Sequence, residues 1–307
     1  LSKRIASLLP AATEWLAVFG LGPSIVGVSH ECDYPAETVR GKARVTSSRV
    51  DSKASALEID RQVRELRAAG ADLYQVDARA LEALEVDLIV TQAQCDVCAV
   101  SEDAVRALAA SLPRKPAVVA TSGSTVEGVL ADALAIAEAT GADALPMIER
   151  YRRGFREIRK ASLAGARRQP PRLVHLEWTD PPMAAASWIP ELVAAAGYEC
   201  FRAELTGKKS VAVTWEEIAA FDPDVLVLAP CGFELERAEH EGRRVLARPE
   251  IRELLRPTSA FQGDRVYAVE GNALFNRPGP RLLESARLLA RIERPSPRAV
   301  QLLTCAL

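Results

Sequence analysis

Arg4-Ile-Ala-Ser-Leu-Leu-Pro-Ala-Ala-Thr-Glu14-Trp-Leu-Ala-Val-Phe-Gly20-Leu-Gly-Pro-Ser-Ile25-Val-Gly-Val-Ser29 is the stretch that decides the fold. Arg4 to Leu9 is a short apolar run that reads as a strand. Ala11 to Phe19 places apolar residues at helical spacing until Gly20 and Gly22 stop it, and Ile25 to Ser29 reads as a second strand. Two strands joined through a helix are parallel neighbours, because parallel strands need a crossover.

The alternation continues outward from there. Arg44 to Thr46 reads as a short strand and Ala56 to Ala69 as a helix ended by Gly70. Leu88 to Gln92 and Ala117 to Ala120 are strands with the helix Glu102 to Ser111 between them. Gly123-Ser-Thr-Val-Glu127-Gly has the form of an N-cap, and the helix Val126 to Thr140 follows it and ends at Gly141. A helix from about Ala142 to Ala164, of roughly 23 residues and about 35 Å, is rich in arginine with a narrow apolar stripe. Past it, Arg172 to Leu176, Val225 to Ala229 and Arg265 to Ala268 are strands, and Ile189 to Ala196, Trp215 to Ala220 and Pro280 to Arg291 are helices. The expected class is α/β, two doubly wound lobes joined by a single long α-helix. The expected boundaries are 1–140 and 169–294 for the lobes, 141–168 for the linker helix and 295–307 for a tail.

With 307 residues and 49% of them hydrophobic, the chain can bury large cores. A net charge of −2, of mixed sign throughout, gives no long-range attraction for nucleic acid. No apolar run reaches the roughly 20 residues of a membrane-spanning helix, so no direct insertion is expected. Six cysteines are too sparse for a disulfide scaffold; Cys200 reads as a small buried hydrophobe and Cys305 as part of the tail.

Cys32, Cys95, Cys98 and Cys231 each follow an apolar run, at the strand exits where open α/β sheets build ligand sites. His30 with Cys32, and the Cys95-Asp-Val-Cys98 pair, have the donor types of a tetrahedral metal site. A reversible disulfide and packing as small hydrophobes are the alternatives. Glu177, Trp178 and Trp188 follow one strand of the second half and Phe233 another. Aromatics make up only 5% of the chain, so their grouping favours a wall for a large flat ligand. No catalytic constellation emerges: His175 lies within a strand and His240 in the charged run Glu234 to Arg244. Walker and dinucleotide fingerprints are absent.

Five segments together resemble the cobalamin-binding branch of the iron-siderophore and corrinoid substrate-binding proteins of ABC importers. They are Arg4 to Glu14, Gly27-Val-Ser-His-Glu-Cys-Asp-Tyr-Pro35, Asp87 to Cys98, Pro230-Cys-Gly-Phe233 and Asn276-Arg-Pro-Gly-Pro-Arg281. The resemblance implies a class III periplasmic-binding-protein architecture, with a corrinoid held in the cleft between two lobes and no catalysis. His30, Cys32, Tyr34, Cys95 and Cys98 would line it from the first lobe. Glu177, Trp178, Trp188, Cys231, Phe233, Asn276 and Arg277 would line it from the second.

The family presents an acidic residue on each lobe to its importer. Glu216 matches in the second lobe. In the first, Arg79 stands about where the glutamate is expected, leaving Asp77 or Glu82 as substitutes. A corrinoid is thus expected as bound ligand with no resident cofactor, an ABC importer permease as a partner, and a monomer. Haem or a ferric siderophore is the alternative within the fold. A metal or thiol-redox enzyme using His30, Cys32, Cys95 and Cys98 is the alternative outside it. The compartment stays open: cell envelope if a leader has been removed, cytoplasm if the chain starts natively near Leu1.

Overall fold

The computed structural model describes residues 3–93, 101–164, 169–293 and 300–303. They fall into two compact units, residues up to 54 with 58–148, and 55–57 with 149 onward.

The first unit carries β1 (Ile5–Ser7), α1 (Pro10–Val18), β2 (Ile25–Val28), α2 (Ala36–Val39), β3 (Ala43–Arg44), β4 (Thr46–Ser48), α3 (Ala56–Ala68), β5 (Tyr74–Val76), α4 (Ala78–Ala83), β6 (Leu88–Gln92), α5 (Glu102–Ser111), β7 (Ala117–Thr121) and α6 (Val126–Thr140). Its main sheet is parallel throughout in the order β3-β2-β1-β6-β7, so the chain reverses its direction of winding between β1 and β6. Ala6, Leu8 and Ile89 pack with Leu81 of α4 and Val105 and Ala109 of α5 in one core layer, while α1 and α6 pack against each other. Helices on both faces bury the strands on two sides, which is why β6 is buried along its whole length.

The expected strand Arg44 to Thr46 is two strands. Ala43–Arg44 extends the main sheet. Fully buried Val45 then anchors the chain as it turns away, and Thr46–Ser48 pairs antiparallel with Tyr74–Val76. The ribbon was illegible beforehand because Tyr74-Gln-Val76 is short and only half buried.

The long helix α7 (Leu145–Ala164) is three residues shorter at its start than expected. Asp143 accepts the Leu145 N–H at 3.1 Å just ahead of it, and the helix spans about 30 Å. The boundary between the compact units falls within it, after Ile148. Gly154 lies against Leu283, whose side chain a Cβ there would meet at 2.6 Å.

The second unit continues with β8 (Arg172–Thr179), β9 (Pro182–Ala184), α8 (Ile189–Ala195), β10 (Glu199–Cys200), β11 (Val211–Ala212), α9 (Trp215–Phe221), β12 (Val225–Leu228), α10 (Leu235–Leu246), α11 (Pro249–Leu255), α12 (Ser259–Gln262), β13 (Val266–Val269), α13 (Leu282–Leu289) and β14 (Val300–Leu302). β10, β8, β12 and β13 are parallel, with antiparallel β9, β11 and β14 added at the margins. The tail expected from residue 295 is corrected in part. Val300–Leu302 pairs with β13 and Leu303 is fully buried, because an open sheet edge and an apolar pocket beside Gly242 are available to it. Residues 294–299 and 304–307, with Cys305, lie outside the described residues.

Candidate functional site

In each unit the C-terminal ends of the parallel strands face the position where winding reverses, the usual ligand position of open α/β sheets. In the second unit this lies between β8 and β12. The Cys231 N–H donates to the Glu177 carbonyl at 2.9 Å and ties the two exits together. Gly232, at φ 74°, lets the chain reverse there. Asn276 secures the same loop, its side-chain amide reaching the carbonyls of Ala229 at 3.4 Å and Pro230 at 3.5 Å.

Trp178 and Phe233 meet edge to face with ring centroids 5.4 Å apart, and the Arg237 guanidinium lies 3.6 Å above the Phe233 ring. Cation and aromatic face attract through the ring quadrupole. The Trp178 indole N–H is buried and has no acceptor among the described residues, an uncommon arrangement in a folded core. Glu177 accepts a hydrogen bond from Ser210.

Several expectations are corrected here. Trp188 does not wall a ligand site. It is 7% exposed and donates its indole N–H to the Phe275 carbonyl at 3.0 Å, so it is core. Phe233 is 2% exposed beneath Arg237 and offers an edge at most. Arg277 is 6% exposed and bonds Asn272 at 3.0 Å; Arg237, unsingled in the sequence, is the cation at this exit. Its position four residues past Phe233 was the available signal.

In the first unit the segment after β6, residues 94–100 with Cys95 and Cys98, lies outside the described residues. The β2 exit carries His30, Glu31 and Cys32. Cys32 is 1% exposed, and its sulfur accepts from Thr13 Oγ1 at 3.1 Å beside Ser29 and Ser7. Burial pushes its thiol up, outweighing those hydrogen bonds and the nearby Arg44 charge, so it rests as a neutral thiol. The residue is packed inward by the α1 contact.

His30 is half buried, with Nδ1 2.7 Å from Thr46 Oγ1 and its ring 5.5 Å from Tyr74. Burial, and then the Arg44 charge, lowers its pKa. Arg44 holds the loop by donating to the carbonyls of Ser29 at 2.7 Å and Cys32 at 2.5 Å. Among the described residues no group of three His, Cys, Asp or Glu side chains is arranged to hold a metal ion. Tyr34 is 48% exposed. A hollow of about 670 Å³ opens between the β4–β5 ribbon and α5, lined by Arg44, Thr46, Arg49, Tyr74 and Leu108.

Of the acidic residues expected at docking positions, Glu216 is exposed in the first turn of α9, inside the Thr214–Glu217 capping box. Asp77 is exposed but caps α4 by accepting the Ala80 N–H at 3.0 Å, and Glu82 is exposed on the same helix. No helix among the described residues is long and apolar enough to cross a membrane.

No protein-family profile matches the sequence, and no curated protein does. Solved structures do. One, described as a possible iron-binding periplasmic solute-binding protein from Staphylococcus epidermidis, is 18% identical at a TM-score of 0.68, covering 96% of this chain and 100% of its own. A periplasmic heme-binding protein from Pseudomonas aeruginosa is 18% identical at 0.68, covering 98% and 96%. The periplasmic vitamin B12 binding protein BtuF of Vibrio cholerae is 18% identical at 0.60, covering 95% and 96%. With end-to-end coverage and the strand orders above, the chain has the two-lobed α/β fold of the class III periplasmic solute-binding proteins.

Proposed function

We propose that the chain is a non-catalytic solute-binding protein that captures a corrinoid and hands it to an ABC importer. The observation that carries this reading is the Trp178–Phe233–Arg237 stack at the β8/β12 exits, with its undonated indole N–H. A corrinoid presents a broad apolar rim edged with amide carbonyls, which suit an aromatic edge and a buried N–H donor. Glu216 is the docking carboxylate of the second unit, and Asp77 or Glu82 serves in the first.

Haem is the second reading, favoured by a different observation. Arg237 and Arg44 place a cation at an exit of each unit, and a phenol such as Tyr34 is a known type of haem ligand. Titration of the purified protein with cyanocobalamin and, separately, hemin tests both. Saturable 1:1 binding of cobalamin, weakened about tenfold or more by Trp178→Ala, supports the corrinoid reading. Hemin displacing bound cobalamin at equal concentration supports the second. Binding of neither overturns both.

A further inference from the structure

The candidate site leaves the most charged element of the chain unused. α7 carries Arg150, Arg152, Arg153, Arg156, Arg159 and Lys160 against Glu149 and Glu157, a net of +4 in a chain whose total is −2. All eight side chains are exposed. The other charged helices neutralise themselves: Arg61 pairs with Glu58 and Glu65 on α3, and Arg243 with Glu239 on α10. On α7, Arg150, Arg153, Arg156, Arg159 and Lys160 have no hydrogen-bond or ion-pair partner among the described residues.

Helical periodicity sorts the two faces. Ile148, Tyr151, Gly154 and Ile158 are buried along one side. At 100° per residue Arg153, Arg156 and Lys160 fall on the opposite side, with Arg152 at its flank. In line with them stand Leu145 and Leu163, five turns apart, 63% and 65% exposed. They are the two most exposed large hydrophobics of the described chain.

From this juxtaposition we propose that the outer face of α7 docks on an anionic phospholipid surface. Cations along the middle of the helix meet headgroup phosphates, and a leucine at each end enters the interface beside them. A nucleic acid would use the charge but give the leucines no apolar contact. A bilayer uses both. Adsorption of this kind leaves the helix lying in the plane of the headgroups, about 30 Å long, with its buried face still packed on the protein. The proposal stands independently of which ligand the chain captures.

Co-sedimentation of the full chain with phosphatidylglycerol-rich vesicles, compared with pure phosphatidylcholine vesicles, tests it. The expected result is binding to the anionic vesicles that falls about tenfold or more between about 0.1 M and about 1 M salt, as the screening length drops from about 10 Å to about 3 Å. Arg153→Glu with Arg156→Glu and Lys160→Glu should abolish binding. Lysine at 153 and 156 should retain it within about twofold. Circular dichroism verifies that the variants fold; if the triple variant does not, Arg156→Gln with Lys160→Gln gives the same reading with smaller loss. Equal binding to neutral vesicles, binding unaffected by the charge changes, or binding to a short DNA duplex without binding to vesicles would each overturn the proposal.

Discussion

His175 is the residue whose chemistry depends most on its surroundings. It lies mid-strand in β8, 2% exposed, its ring 4.8 Å from that of Phe275 and neither nitrogen partnered among the described residues. Burial pulls its pKa from 6.5 down to about 3. The neutral ring's contribution to stability is therefore complete above pH 6.5. It is lost as pH falls from 6.5 toward 3, because the unfolded chain binds a proton the folded chain refuses. His175→Leu removes that linkage. Between pH 7 and pH 5 the variant should gain about 2 kcal/mol relative to the parent, read from urea unfolding at each pH; a pH-independent difference would contradict a neutral buried ring. The inward packing of Cys32 was not legible in the sequence, because a residue just past a strand can point to solvent or to core. Here the Thr13 hydroxyl on the adjoining helix draws it inward.

At the scale of elements, the loop after β12 is held by the turn after β13. Gly271 opens a π-helical turn, and a Cβ there would stand 2.5 Å from the Pro230 carbonyl and 2.7 Å from that of Ala229. Both obstacles are backbone, and Asn276 bonds the same carbonyls. Gly271→Ala should destabilise the protein by about 1–3 kcal/mol, as overpacking does, and weaken ligand binding through displacement of Cys231 and Phe233. Thermal unfolding and the cobalamin titration check the two parts; an unchanged melting temperature would show that the turn yields freely. Most helices and the longer strands were readable from periodicity; α10 was not, its Glu234 to Arg244 stretch reading only as a charged run. The margins were not: β9, β10, β11 and β14 have two or three residues each, too few for a period to register, and pairing with a neighbour makes them strands.

For the molecule as a whole, a ligand that binds only the folded chain must raise its stability. Cyanocobalamin at about 100 times its dissociation constant should add about 2.7 kcal/mol, seen as a rise of several degrees in melting temperature. An unchanged melting temperature under saturation would count against the proposed function. The alternating α/β order and the five parallel strands of the first unit could be read from the chain because periodicity and glycine stops are local properties, carried by neighbours within one or two turns. So could the grouping of chemistry at strand exits, which follows from that order. Which exit residues remain available was decided by contacts between residues far apart in the chain. Phe275 takes the indole of Trp188, Arg237 covers Phe233, and Asn272 takes Arg277. The sheet edge that turns residues 300–302 from tail to strand is likewise supplied by β13, more than thirty residues earlier.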